Sequence, residues 1–196
     1  MPHQDFMARR FFLFDTPDRF VAGTVGEPGS RTFFLQAKEG SRIVSVALEK
    51  VQVAALAERM DDLLDELEKR GIEGAEDNEG VVALLGDGAP LYEPINEAFR
   101  AATLSLGWDG SKGRVLVEAR APSEDEDDED VLEDDDDSSP DGPDVLRVRL
   151  LPMEARSFVE RAVRVLGSGR PPCPLCGQPL DPQGHLCPRR NGHLLN

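Results

Sequence analysis

Arg42-Ile-Val-Ser-Val-Ala-Leu-Glu-Lys-Val-Gln-Val-Ala-Ala-Leu-Ala-Glu-Arg-Met-Asp-Asp-Leu-Leu-Asp-Glu-Leu-Glu-Lys-Arg70 is the stretch in which the hydrophobic period of this chain changes. Of its first seven residues five are apolar, three of them the β-branched Ile43, Val44 and Val46, as suits a strand. After Glu49 the apolar residues Val53, Leu56, Met60, Leu63, Leu64 and Leu67 recur at three- and four-residue steps, with Glu, Asp, Arg and Lys between them. That spacing lays one apolar stripe along a helix. It predicts an amphipathic helix from Glu49 to Arg70, ended by Gly71, which suits the left-handed position after a helix.

Toward the N-terminus the pattern is of short apolar runs bounded by turn residues. Arg10-Phe-Phe-Leu-Phe14 reads as a first strand, closed by Asp15-Thr-Pro-Asp18. Phe20 to Val25 and Arg31 to Ala37 flank Gly26-Glu-Pro-Gly-Ser30, whose Gly and Pro supply turn geometry. Lys38-Glu-Gly-Ser41 is a further turn before the Arg42–Leu48 strand. Together these segments predict an antiparallel meander.

The second half has the same order. After a polar stretch, Val81-Val-Ala-Leu-Leu85 fits a short buried strand or a helix fragment. Ala98 to Trp108 and Arg114 to Arg120 read as strands joined by Asp109-Gly-Ser-Lys-Gly113, and Val145 to Leu151 as another. Pro152 suits a helical first turn, and Met153 to Leu166 carries Phe158, Val159, Ala162, Val163 and Leu166 on one face. Leu56-Ala-Glu-Arg59 then sits over Phe158-Val-Glu-Arg161. Either the chain contains a β-β-β-α pseudo-repeat, or two meander–helix units use similar residues independently.

Charge is concentrated in one place. Between Ala121 and Val145 there are fourteen Asp and Glu residues and no Lys or Arg, so removing that block from the formal net charge of −16 leaves −2. A run of this kind cannot bury enough apolar surface to fold and is expected to be a disordered insertion, residues 121–144, in the turn before the last strand. The acidity argues against general binding to nucleic acid or anionic membrane. No apolar run approaches the ~20 residues that span a bilayer, and Met1 to Arg10 lacks the basic-then-apolar order of a signal peptide. A cytoplasmic protein is expected.

The three cysteines all fall in the tail Cys173-Pro-Leu-Cys176-Gly-Gln-Pro-Leu-Asp-Pro-Gln-Gly-His185-Leu-Cys187-Pro-Arg-Arg-Asn-Gly-His193. Cys-x-x-Cys followed by Gly is a knuckle turn that aims two sulfurs at one point. His185 and Cys187, two apart, project to one side of an extended segment. Four thiolate and imidazole ligands suit tetrahedral Zn(2+), and a closed set with no open position marks a structural ion rather than a catalytic one. The expected ligands are Cys173, Cys176, His185 and Cys187, with His193 a rival to His185 for the fourth place. Arg189 and Arg190 would let such a knuckle touch nucleic acid, although solvating a mini-domain is the simpler role for them. No phosphate loop or nucleophile elbow appears, no catalytic residue can be nominated, and Trp108 and Tyr92 read as core or rim aromatics.

Arg10-Phe-Phe-Leu-Phe-Asp-Thr-Pro-Asp-Arg-Phe-Val-Ala-Gly-Thr24, Leu91-Tyr-Glu-Pro, Val117-Glu-Ala-Arg-Ala121 and the tail from Cys173 to Gly192 resemble an actinobacterial family of uncharacterised proteins, domain of unknown function 3090. The resemblance covers nearly the whole chain and brings no catalytic residues with it. It implies genomic neighbours of three kinds: a histidine-phosphatase-like protein, a lipid-kinase-like protein and the cysteine ligase of mycothiol synthesis. The expectation is therefore an α+β domain over residues 1–169, built from antiparallel β-meanders and two main helices, with a zinc-knuckle mini-domain over 170–196. Its expected role is as a binding or adaptor protein in a protein complex. A nucleic-acid-binding regulator and an enzyme of unrecognised type stand as alternatives.

Overall fold

The computed structural model describes residues 9–75, 87–123, 142–169, 173–175 and 187. In chain order the elements are β1 (Phe11–Phe14), β2 (Arg19–Val25), β3 (Thr32–Glu39), β4 (Arg42–Leu48), α1 (Lys50–Lys69), β5 (Glu97–Arg100), β6 (Thr103–Asp109), β7 (Arg114–Arg120), β8 (Val145–Leu150) and α2 (Pro152–Gly167). Both helices fall where their periodicity places them. The short apolar run at Val81–Leu85 and most of the acidic block lie outside the described residues.

The strands form two mixed four-stranded sheets, in the orders β2-β3-β4-β5 and β1-β8-β7-β6. The meanders β2-β3-β4 and β6-β7-β8 are antiparallel as expected. Two edge strands correct the rest of that reading. β1 does not extend the first meander; it runs parallel to β8 in the second sheet, Phe11 opposite Val145 and Phe14 opposite Val148. The segment Ala98–Trp108 is not one strand. Its start belongs to β5, parallel to β4, and its end to β6. The chain changes sheets at two alanines: Ala101 N–H donates to the Ala47 carbonyl at 2.9 Å and Ala102 N–H to the Arg120 carbonyl at 2.8 Å.

Each half therefore lends its leading strand to the other half's sheet, and the unit that recurs is β-β-β-β-α. The correspondence extends to details. Asp18 N–H donates to the Lys38 carbonyl at 2.8 Å, just where Ala102 meets Arg120. Both helices begin with the same half of a capping box, in which the N3 side chain reaches back to the N-cap: Gln52 accepts from the Glu49 N–H at 2.8 Å and Glu154 from the Leu151 N–H at 2.7 Å. A buried polar cross-strand pair occupies one register position in each meander, Gln36 with Ser45 and Glu118 with Arg147.

One core serves both halves. Inner-face residues such as Leu35, Val46, Val117 and Val148 pack with Met60 and Leu64 of α1 and Phe158 of α2. Met60 and Leu64 are fully buried, and cutting either to Ala is expected to cost about 2–5 kcal/mol. The helices lie against each other, α2 also on β2 and α1 also on β6. Arg156 ties them together, reaching Asp61 at 2.6 Å, Asp65 at 2.7 Å and the Ala75 carbonyl at 3.0 Å. Between β7 and β8, Ala121 N–H bonds the Asp144 carbonyl at 2.9 Å. The acidic block thus leaves and rejoins the sheet at one point, so its length strains nothing in the ladder.

Candidate functional site

The crossed helices create two grooves, each between a helix and an edge strand. α2 and β2 line one; α1 and β6 line the other. Counting from the matching helix starts and strand registers pairs Ser157 with Ala55, Phe158 with Leu56, Arg161 with Arg59, Arg19 with Thr103 and Phe20 with Leu104. All ten of these residues are groove-lining or buried beneath a groove.

The α2–β2 groove is crossed by the chain itself, which leaves a pocket of about 200 Å³ there. Arg161 spans it, donating from Nε to the Ala22 carbonyl at 2.7 Å and from Nη2 to the Ala89 carbonyl at 2.8 Å, with Nη1 on the Asp87 carbonyl. Arg19 adds an ion pair to the Asp87 carboxylate and a 2.8 Å bond to the Ala89 carbonyl. The segment then crosses the edge of β2 onto the outer face of the sheet. There Leu91 packs with Val21, Phe34, Ala47 and Ile95, and a Cβ at Gly23 would come within 2.6 Å of the Leu91 side chain. Gln36 reads the next peptide unit from both sides: its Nε2 donates to the Tyr92 carbonyl at 3.0 Å, and its Oε1 accepts from the Tyr92 N–H at 2.8 Å. The Tyr92 ring lies at the rim under Arg19 and Lys38. Residues 87–95 are a strap, held mostly through its backbone.

The electrostatics follow from this crowding. Burial lowers the Arg161 pKa, Asp87 opposes that shift, and the charges of Arg19 and Arg164 add to it. For Asp87, burial is the largest single influence and acts upward. The Arg19 hydrogen bond, the Ala89 N–H and the charges of Arg19 and Arg161 together outweigh it, so the carboxyl titrates below its ordinary range.

The α1–β6 groove is open. It has a volume of about 650 Å³, a floor of Ala55, Leu56, Leu63, Leu104 and Leu106, and a rim of Gln52, Arg59, Asp62 and Glu66. β6 has a strand neighbour on one side only among the described residues. Arg59 is exposed and makes no hydrogen bond or ion pair among the described residues, whereas its counterpart Arg161 holds three carbonyls.

Of the candidate zinc ligands, Cys173 and Cys187 lie among the described residues; Cys176, His185 and His193 do not. Both described thiols are buried, with their sulfurs 3.9 Å apart. That is far beyond a disulfide's ~2.05 Å and close to the ~3.8 Å between two thiolates that share one tetrahedral zinc. The donor set and this spacing fit the ion. Among the described residues no group of three or more His, Cys, Asp or Glu forms a metal centre.

Sequence reasoning did not single out Arg161, Asp87 or Gln36 as functional, because each lies within an ordinary polar pattern. The signal that points to the grooves is the match of Leu56–Arg59 with Phe158–Arg161, which puts one arginine in each.

A family profile described as "Protein of unknown function (DUF3090)" matches residues 12–187. The match runs from β1 through both sheets and both helices to Cys187, and the chain belongs to the domain of unknown function 3090 family. No curated protein and no solved structure matches it. Among the described residues no helix is long and apolar enough to cross a membrane.

Proposed function

We propose that this protein is a cytoplasmic binding or adaptor protein that works inside a protein complex, and that its tail is a structural zinc knuckle. The observation that carries the first part is the open α1–β6 groove: an apolar floor beside an edge strand, with a charged rim, is suited to a polypeptide rather than to a small polar substrate. The phosphatase-like and kinase-like neighbours implied by the family are the first partners to try. Affinity purification from cells, followed by mass spectrometry, is expected to recover a specific protein in stoichiometric amount. Recovery of only what an unrelated bait recovers would remove this reading.

In the tail, Cys173, Cys176 and Cys187 would hold the ion with His185 or His193. The ion would fix a mini-domain too small to hold a fold through its own core. Purified protein is expected to carry about one zinc per chain. Replacing His185 and His193 separately by Ala should release the metal in one case and retain it in the other. Metal-free protein with freely alkylated thiols would contradict the knuckle.

A further inference from the structure

We propose that the α1–β6 groove takes an extended, acid-bearing polypeptide segment that imitates the strap 87–95, held through its backbone by Arg59. The proposal deepens the adaptor reading above and rests on it for its biological setting; the groove's capacity to bind is tested separately.

The molecule supplies its own template. In the α2–β2 groove the occupant is known: Asp87 and Ala89 present carbonyls to Arg161, and the Asp87 carboxylate meets Arg19. The α1–β6 groove has the same helix–strand frame with an arginine at the same place, Arg59, and that guanidinium has no partner among the described residues. Leu106 corresponds to Ala22, so a carbonyl of β6, which has no second strand neighbour among the described residues, stands where Arg161 finds its first acceptor.

The differences between the grooves specify the occupant. Thr103 replaces Arg19, which removes one of two cations, so a single carboxylate is matched by Arg59 with hydroxyl support from Thr103. Asp62 and Glu66 stand on the groove wall toward the helix C-terminus, where the other groove has Arg164 and Ser168. A segment acidic along its whole length would be repelled there. The fitting ligand carries one Asp or Glu at the level of Arg59, small residues next to it, and a neutral or basic residue toward Glu66. Leu63, Leu104 and Leu106 offer it an apolar floor.

The test uses the full-length protein, isotope-labelled for NMR, titrated with a synthetic nonapeptide of the strap itself, Asp-Gly-Ala-Pro-Leu-Tyr-Glu-Pro-Ile. Saturable shift changes are expected along α1 and β6. Arg59→Glu is expected to weaken binding about tenfold or more, the equivalent of one charge-assisted contact turned repulsive, while Arg59→Lys retains part of it. Absence of saturable binding would overturn the proposal, as would shifts confined to the α2–β2 groove. So would binding indifferent to Arg59→Glu. Two other occupants would also displace it: peptide binding that appears only after deletion of residues 124–141 would assign the groove to the chain's own acidic block, and concentration-dependent shifts without peptide would assign it to a second copy. Because no cellular partner enters the titration, a failed affinity purification sinks the adaptor reading and leaves the groove's result standing, and the reverse also holds.

Discussion

The two halves of this protein use one frame for opposite ends. In the α2–β2 groove an arginine, an edge-strand carbonyl and a neighbouring acid are all consumed internally; in the α1–β6 groove the matching arginine faces solvent. A duplicated unit needs only one copy of such a contact to fasten its own chain. The other is free to fasten something else. The outer faces differ in the same way: Gln36 reads the backbone of Tyr92, while Glu118 at the matching position accepts from Arg120 and Arg147, both at 2.6 Å.

The largest difference is expected between the two arginines. Arg161→Ala removes the donor from the Ala22 and Asp87 carbonyls in a nearly dry site, leaving Ala89 to Arg19 alone, and is expected to lower stability by about 3 kcal/mol in urea titrations. Arg59→Ala should stay within about 0.5 kcal/mol of the parent protein, as exposed substitutions do. Equal losses at both sites would break the comparison. Next in size, Gln36→Leu leaves the Tyr92 N–H and carbonyl under the strap without partners and is expected to cost about 1–3 kcal/mol. Its signature is faster amide exchange at 87–95 than in β7.

Gly23→Ala is a smaller probe of the same strap. The new methyl group would displace Leu91, and a loss of about 1 kcal/mol is expected if the strap shifts outward. The smallest effect is that of acid. Because the Asp87 pKa is lowered in the fold, its contribution is present above the pH at which an unfolded Asp ionises. It is lost as pH falls through the folded value. Asp65 moves in the same direction through its bond to Arg156, Asp18 through its bond to the Gly40 N–H and Asp109 through its bond to Ser111, so the global denaturation curve mixes all four. Amide exchange at the strap separates them: below about pH 4 it should accelerate in the parent protein, and in Asp87→Asn it should be fast at all pH values.

The helices and the strands of both meanders were legible from residue order, because the period switch at Glu49 and the stripe after Pro152 depend on neighbours in sequence, but β5 was merged with β6. The pairing of β1 and β5 was not legible. Phe11–Phe14 is apolar enough to join either sheet, and nothing in Ala101-Ala102 marks the point at which the chain changes partner. Only the ladder shows it, with Ala47 on one side and Arg120 on the other. The tail is read from its Cys and His spacings alone; of its candidate ligands only Cys173 and Cys187 lie among the described residues, their sulfurs 3.9 Å apart. The grooves were hidden for a different reason. Arg59 and Arg161 look alike in sequence, and what separates them is whether a remote segment, Asp87–Ala89, lies across them.

Ala55 and Ser157 occupy matching places in the two grooves, which allows a paired measurement in living cells. A photo-crosslinking benzoylphenylalanine placed at Ala55 is predicted to yield a discrete higher-mass adduct with another protein, and the same group at Ser157 to yield none. Adducts at neither position, or at Ser157 alone, would contradict the claim that the α1–β6 groove is the protein's binding face.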